Sequence, residues 1–392
     1  KVSNKDLKIK MKTKYILLLI ITFFSVEIVS AQSSDDLINL LIQKGIVKQT
    51  DADSLRAEYA FKQQEVKEKQ KLFNVLSSRN ITIGGYTQVR YQSLQEPGKP
   101  DGFDIRRARF DLKGNFSPEW EYRLQTDFAI NTKIIDAYFV YKPFEYLKIT
   151  GGQFLIPNSL ESTTSDSALE TIDRAQISGL TGRNKDAIGD QNGRDIGLQA
   201  SGSLFKTASN RFLLDYYVAY FDGQGINIAA DKNESKDIAA RIIAHPYSFL
   251  DFGISYSNGH DSWTTPARNQ DQVRTGADVA VNYNDFSFRA EYLQAQQGTY
   301  IVNGVNRDLL KDGWYAQLGY FALPKKLQFV AKYDTLDPTK NNAKNDITSF
   351  YTLGANLYPN SFVKFQVNYK HKSEQGYSIN KDEVIAQLQL KF

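Results

Sequence analysis

The chain has 392 residues, 48 basic and 44 acidic, for a formal charge of +4, with three histidines and no cysteine. Without Cys it can form no disulfide, thiolate nucleophile, Cys-bound zinc or lipid-modified cysteine, and His245, His260 and His371 share no spacing that suits a metal site or proton relay, so no cofactor or metal is expected. The charge excess sits in residues 1–31, where six Lys face only Asp6 and Glu27; residues 32–392 hold 42 basic and 42 acidic side chains, so no global basic field calls for nucleic acid.

Hydrophobic residues make up 41% of the chain, with 23 Tyr and 24 Phe, yet the mean hydropathy is only −0.44. That combination describes short alternating segments rather than long apolar runs, and suits strands instead of membrane helices.

Residues 1–10 form a charged leader without pattern. Met11 then opens a basic Lys12-Thr13-Lys14, an apolar run over residues 15–24 and the small residues Val29-Ser30-Ala31. This is the layout of a secretory signal with cleavage between Ala31 and Gln32. A transmembrane helix needs about 20 apolar residues, and Glu27 interrupts this run too soon.

Residues 32–80 read as helical. Leu37, Leu40 and Leu41 share a face, Gly45 suits the position past a helix end, and Thr50-Asp51-Ala52-Asp53 resembles a capping box. Tyr59, Val66 and Phe73 recur every seven residues, but the complementary seam Leu55, Lys62, Lys69, Leu76 is half charged. Two readings stand, a solvated periplasmic spacer or a self-associating segment near a trimer axis.

From Ile81 to Phe392 sixteen segments alternate with period two, the first over about 81–94 and the last over about 383–392. In the second, Ala108, Phe110 and Leu112 face one way and Arg107, Arg109, Asp111 and Lys113 the other. Short turns follow the even segments, at 117–118, 142–145, 206–210, 245–248, 284–285, 323–325 and 358–360. Longer polar connections follow most odd ones, at 95–102, 156–193, 222–236, 259–272, 298–311, 336–346 and 372–382, the exception being a tight turn near Asn131-Thr132. A soluble sandwich has no reason to sort its loops by parity; a barrel with tight turns on one side of a membrane and long loops on the other does. The expected fold is an all-β, sixteen-stranded antiparallel transmembrane barrel over residues 81–392, apolar outside and polar inside, because closure pairs every backbone group that hydrocarbon would leave unsatisfied. Aromatic residues beside the short turns, including Trp120, Tyr122, Phe144, Tyr146, Tyr247, Phe249 and Phe286, would form a girdle.

The final segment ends in Phe392. An alternating terminal strand closed by Phe resembles the signal by which bacterial outer-membrane barrels reach their assembly machinery. With the signal peptide it places the chain in an outer membrane, in contact with its lipid.

GGYTQVRYQ (84–92), FDIRRARF (103–110), DAYFVYKP (136–143), GGQFLIPNSLESTTS (151–165) and GRDIGLQASG (193–202) resemble the phosphate-selective porin O and P family, in a form like those of Bacteroidota. The resemblance covers residues 81–392. It implies a homotrimer of sixteen-stranded barrels for passive uptake of phosphate or other anions, a long inward-folding loop after the fifth strand, and an arginine ladder toward a constriction, carried here on the run from Arg106 to Arg109.

Independently of that resemblance, a sixteen-stranded barrel leaves a water-filled lumen, and the charges at its narrowest part set selectivity. The connection 156–193 is far longer than an ordinary loop, and its Ile172, Ile177, Leu180 and Ile188 suggest inward packing; an external mobile loop is the rival reading. The candidate anion-binding and pore-lining residues are Arg90, Arg106, Arg107, Arg109, Lys113, Arg123 and Arg289 on strands, with Arg174, Arg183 and Arg194 in the long loop or at its exit. Arg suits an oxyanion because its planar fork donates two parallel hydrogen bonds and keeps its charge. Carboxylates share the same face, so pairing across strands competes with anion binding. Arg107 and Arg109 lead, since Asp111 cannot neutralise both.

The function expected is passive diffusion of small hydrophilic solutes with a preference for anions such as phosphate. The alternatives are a non-selective general porin, an outer-membrane barrel enzyme, an adhesion scaffold working through residues 32–80, and a soluble β-sandwich binding module. No motif for nucleophilic catalysis surrounds any histidine, so no enzymatic activity is expected.

Overall fold

The computed structural model describes residues 81–392 apart from 96–97, 99, 182–192, 229–234, 265–266, 303–304, 341–345 and 376–381, the backbone alone over 261–271 and 297–308, and scattered positions between Asn39 and Lys67. Residues 1–77 and 78–392 form separate units. In the first unit the described positions are mostly helical, with Glu58 and Lys62 paired one turn apart at 2.7 Å. The signal segment, its cleavage site and the heptad residues Leu55, Tyr59, Val66 and Phe73 lie outside the described residues.

In the second unit, the alternation of one strand sets its two faces. In the segment Val363–Glu374, Lys364, Gln366, Asn368 and Lys370 are buried while Phe365, Val367 and Tyr369 are exposed. In the neighbouring Thr348–Leu357, Thr352 is 4% exposed and the next residue, Leu353, 62%. Burial is thus inverted relative to a soluble protein. Polar side chains fill the interior and apolar ones face outward, which is stable only where hydrocarbon lies outside. Among the described residues no helix is long and apolar enough to cross a membrane; the strands do so.

The strands are β1 (Thr82–Leu94), β2 (Gly102–Ser117), β3 (Trp120–Asp127), β4 (Lys133–Phe144), β5 (Leu147–Leu155), β6 (Arg194–Lys206), β7 (Phe212–Phe221), β8 (Asp237–Tyr247), β9 (Leu250–Thr264), β10 (Ala267–Tyr283), β11 (Phe286–Val302), β12 (Val305–Leu323), β13 (Leu327–Asp337), β14 (Thr348–Leu357), β15 (Val363–Glu374) and β16 (Glu383–Lys391). Each pairs antiparallel with the next, and β1 with β16, to close one sixteen-stranded barrel. At the seam Gly85 and Phe392 exchange backbone hydrogen bonds of 3.1 and 3.0 Å. The rim of short turns carries ring pairs on the outer wall, among them Phe144 with Tyr146 at 4.9 Å and Tyr247 with Phe249 at 5.4 Å, the interfacial girdle that such a wall needs.

Two of the long connections expected from the sequence are strands instead. β9 runs to Thr264 and β10 starts at Ala267, with His260 opposite Asp271; β11 and β12 likewise continue through Tyr300 opposite Arg307. The apolar alternation fades in 259–272 and 298–311, which reads as loop. The ladder needs only backbone groups in register, and it persists where the side chains no longer alternate between apolar and polar.

A bulge in β2 matters for the lumen. Gln88 of β1 faces Arg107 and Val89 faces Ile105, so Arg106 has no partner in the ladder. The extra residue resets the alternation. Arg106, Arg107 and Arg109 all reach carboxylates inside the barrel, whereas strict period two would send Arg106 to the lipid.

Candidate functional site

The connection between β5 and β6 enters the barrel. Its described part, residues 156–181, carries one turn of helix, α1 (Leu160–Thr163), and two short 3-10 turns, Asp166–Ala168 and Gln176–Thr181. Ser159 caps α1 by accepting from Ser162 N at 3.1 Å, and the Glu291 carboxylate of β11 accepts Leu160 N at 3.0 Å and Glu161 N at 2.8 Å. Those N–H groups would otherwise be orphaned at the start of the helix.

Three kinds of contact hold this segment to the inner wall. Ala175, Ile177 and Leu180 pack on Leu293, Ala295 and Tyr315, an apolar cluster inside a polar lumen. The main-chain carbonyls of Ser167, Leu169 and Glu170 are taken by amides and one ammonium. Lys364 Nζ donates to Ser167 O at 2.9 Å and Leu169 O at 3.0 Å, and Gln366 and Asn356 both donate to Glu170 O, at 3.2 and 2.8 Å. The amides also bond one another, Gln366 to Asn356 at 3.1 Å and Asn356 to Gln328 at 3.0 Å, so a belt across β13–β15 presents fixed donors to the loop.

The third contact is ionic and falls on the arginine strand. Asp166, buried, receives Arg107 Nη2 at 3.0 Å, Arg109 Nη1 at 2.9 Å and Arg174 Nη2 at 2.7 Å. Asp173 receives Arg106 Nη1 at 2.7 Å, Lys370 Nζ at 2.8 Å and Arg90 Nη1 at 3.7 Å. Burial opposes charge on Asp173, but Arg106, Lys370 and Arg90 outweigh it and hold the carboxyl well below the usual range.

Asp111 neutralises neither Arg107 nor Arg109, yet neither is free. Arg109 is held by Asp127 at 3.1 Å and by Asp166, and Arg107 by Asp166 and Gln88; Asp111 binds Arg123 instead at 2.8 Å. Arg90 binds Asp104 at 2.5 Å, and Arg194 binds Asp136 at 2.5 Å, which Arg123 also reaches at 3.2 Å. Arg174 is buried within the loop, where Thr164 O at 2.6 Å and Glu161 O accept from it alongside Asp166. Lys113 and Arg289 make no ion pair among the described residues, and Arg183 lies outside them. Sequence reasoning anticipates pairing of wall arginines with wall carboxylates but misses the loop carboxylates Asp166 and Asp173 that organise the arginine strand. The signal is present in residues 156–181, where Glu161, Asp166, Glu170 and Asp173 face a single base, Arg174.

Because the loop lies against β11–β16 and the start of the sheet, space remains on its other side. A cavity of about 480 Å³ is lined by Tyr86, Arg109, Lys113, Arg123 and Arg194 from the wall side and by Thr163, Thr164, Ser165 and Ser167 from the loop. The Arg109 guanidinium stands over the Tyr86 ring, 5.6 Å from its centroid. Among the described residues no group of three His, Asp or Glu could hold a metal ion.

A closed barrel with a hydrocarbon-facing wall, a polar lumen and a loop that narrows it is the architecture of an outer-membrane porin. The chain belongs to the phosphate-selective porin O and P family, whose model matches residues 82–392. Among solved structures it is similar to an anion-selective porin from Comamonas acidovorans, at 12% identity and a TM-score of 0.62 over 80% of this chain and 99% of that one. It is also similar to the outer membrane channel DcaP of Acinetobacter baumannii, at 13% identity and a TM-score of 0.59 over 80% and 97%, and to the trimer form of OmpT of Vibrio cholerae, at 10% and 0.57 over 80% and 99%. At these identities the likeness is one of fold. No curated protein sequence matches the chain. The protein is a passive porin of the outer membrane.

Proposed function

We propose that this porin prefers anions, phosphate among them, over cations. The observation that carries this reading is Lys113, which lines the cavity beside the loop and keeps its ammonium clear of any ion pair among the described residues, while Arg109, Arg123 and Arg194 around it are paired with Asp127, Asp166, Asp111 and Asp136. Net positive charge along a water-filled passage raises the local concentration of anions and lowers that of cations. Arg106, Arg107 and Arg174 serve a different end, fixing the loop that narrows the lumen, while Arg90 and Arg289 line the wall. The barrel acts as a channel without catalysis. A signal peptide cut after Ala31, delivery through the Phe392 signal and assembly as a homotrimer complete the proposal; the trimer form of OmpT has the same barrel fold.

The test is a planar bilayer holding the purified protein in a potassium chloride gradient. A zero-current potential on the chloride side supports the reading. Potassium preference overturns its anion part, and the absence of an ohmic channel overturns the whole.

A further inference from the structure

The geometry points to a polyhydroxylated anion, a sugar phosphate or sugar acid, as the solute class this passage fits better than bare phosphate. The inference rests on the channel reading and refines its substrate.

The loop side of the cavity is a run of hydroxyls whose protons are committed elsewhere. Thr163 Oγ1 donates to Ser159 O at 2.6 Å and Thr164 Oγ1 to Leu160 O at 2.8 Å, so each offers the cavity only lone pairs. Ser165 and Ser167 share one hydrogen bond at 3.2 Å, which leaves a single proton between them. The loop side is therefore rich in acceptors. The opposite requirement holds at Lys113, an exposed ammonium with three donors and no ion pair among the described residues.

Inorganic phosphate at neutral pH is mainly an acceptor. It is matched to Lys113 but meets lone pairs along the loop. A sugar that bears one anionic group satisfies both sides, the anion against Lys113 and the sugar O–H groups donating to Thr163, Thr164 and the serines. The arginines favour the same conclusion. Arg109 and Arg123 already hold Asp127, Asp166 and Asp111, so the cavity has no cluster of uncommitted guanidiniums to strip a small, strongly hydrated dianion.

The experiment uses the full chain in proteoliposomes and planar bilayers, with glucose, glucose 6-phosphate, glucuronate and inorganic phosphate as probes. In the wild type, glucose 6-phosphate and glucuronate should enter faster than glucose and block chloride current at concentrations roughly five-fold below that needed for inorganic phosphate, the effect of one or two net hydrogen bonds. Ser165→Ala with Ser167→Ala should bring the sugar anions to the level of inorganic phosphate and leave phosphate unchanged. Lys113→Gln should remove the advantage of both sugar anions over glucose. If only one of the two sugar anions shows the effect, it identifies the anionic group the passage takes. Equal block by inorganic phosphate and the sugar anions, or no effect of the serine substitutions, overturns the inference while chloride conductance stays intact. Absence of conductance in potassium chloride alone overturns the channel reading beneath it.

Discussion

Asp166 accepts Arg109 Nη1 at 2.9 Å across the lumen, joining the tip of the loop to the middle of β2. Arg107 and Arg174 close on the same carboxylate, and all of these groups are sheltered from bulk water except the partly exposed Arg107. One anion therefore balances several cations that the barrel could not otherwise hold side by side.

Removing that anion should free the loop. Asp166→Asn leaves Arg107, Arg109 and Arg174 facing each other, and breaking a buried charge network of this kind costs about 3–5 kcal/mol. We expect a lower temperature for loss of the compact band in heat-modifiability gels, together with a larger and noisier single-channel current. Unchanged current noise would show that the loop is held without Asp166.

Acid should loosen the loop only at extreme pH. The folded Asp173 carboxyl titrates well below its ordinary value of 3.8. A depressed folded value means that the ion-pair stabilisation is fully present above the unfolded value and is lost as pH falls through the folded one. Channel recordings should therefore match between pH 7 and pH 5, with added noise appearing below about 3.8. Asp173→Asn should show that noise already at pH 7. A transition centred near pH 6 would contradict this assignment.

Charge reversal at Lys113 separates the residue that faces solute from those that hold the loop. Lys113→Glu should lower the chloride-to-potassium permeability ratio roughly five-fold while the barrel stays as heat-resistant as the wild type. Zero-current potentials in a salt gradient read the ratio. An unchanged potential would move the selective site elsewhere in the lumen.

Adjacent residues on β14 report the two faces. Leu353→Arg puts a charge toward lipid and should cost about 2–4 kcal/mol if it lies near the bilayer centre. The measurement is urea unfolding of protein folded in lipid vesicles. Thr352→Ser, inside the lumen, should leave the unfolding midpoint close to that of the wild type. Equal midpoints for the two variants would mean that the outer wall is not in hydrocarbon.

Much of this architecture is legible in the order of residues. Period-two alternation in β15 announces a two-faced strand, and the alternation of short and long connections, broken once near Asn131-Thr132, announces a membrane with two unlike sides. The loop of 156–193 announces itself by length. The arginine run is legible as lumen chemistry, but its partners are not. Asp166 and Asp173 lie some 60 positions from Arg107 and Arg106 along the chain, and no local pattern couples them. Arg106 depends on a bulge, which breaks the period that sequence reading relies on. The amide belt of Gln328, Asn356 and Gln366 has the sequence of ordinary polar alternation.

The sequence alone determined the barrel, its inside and its outside, because each of those follows from the spacing of neighbouring residues and from the need of buried backbone to pair. Only the tertiary structure decided which cations remain available to a solute. Charge neutralisation depends on which carboxylate lies within about 4 Å, and here closure of the barrel and the return of one loop into it bring Asp166 to Arg107 and Arg109 while leaving Lys113 open to the water of the pore.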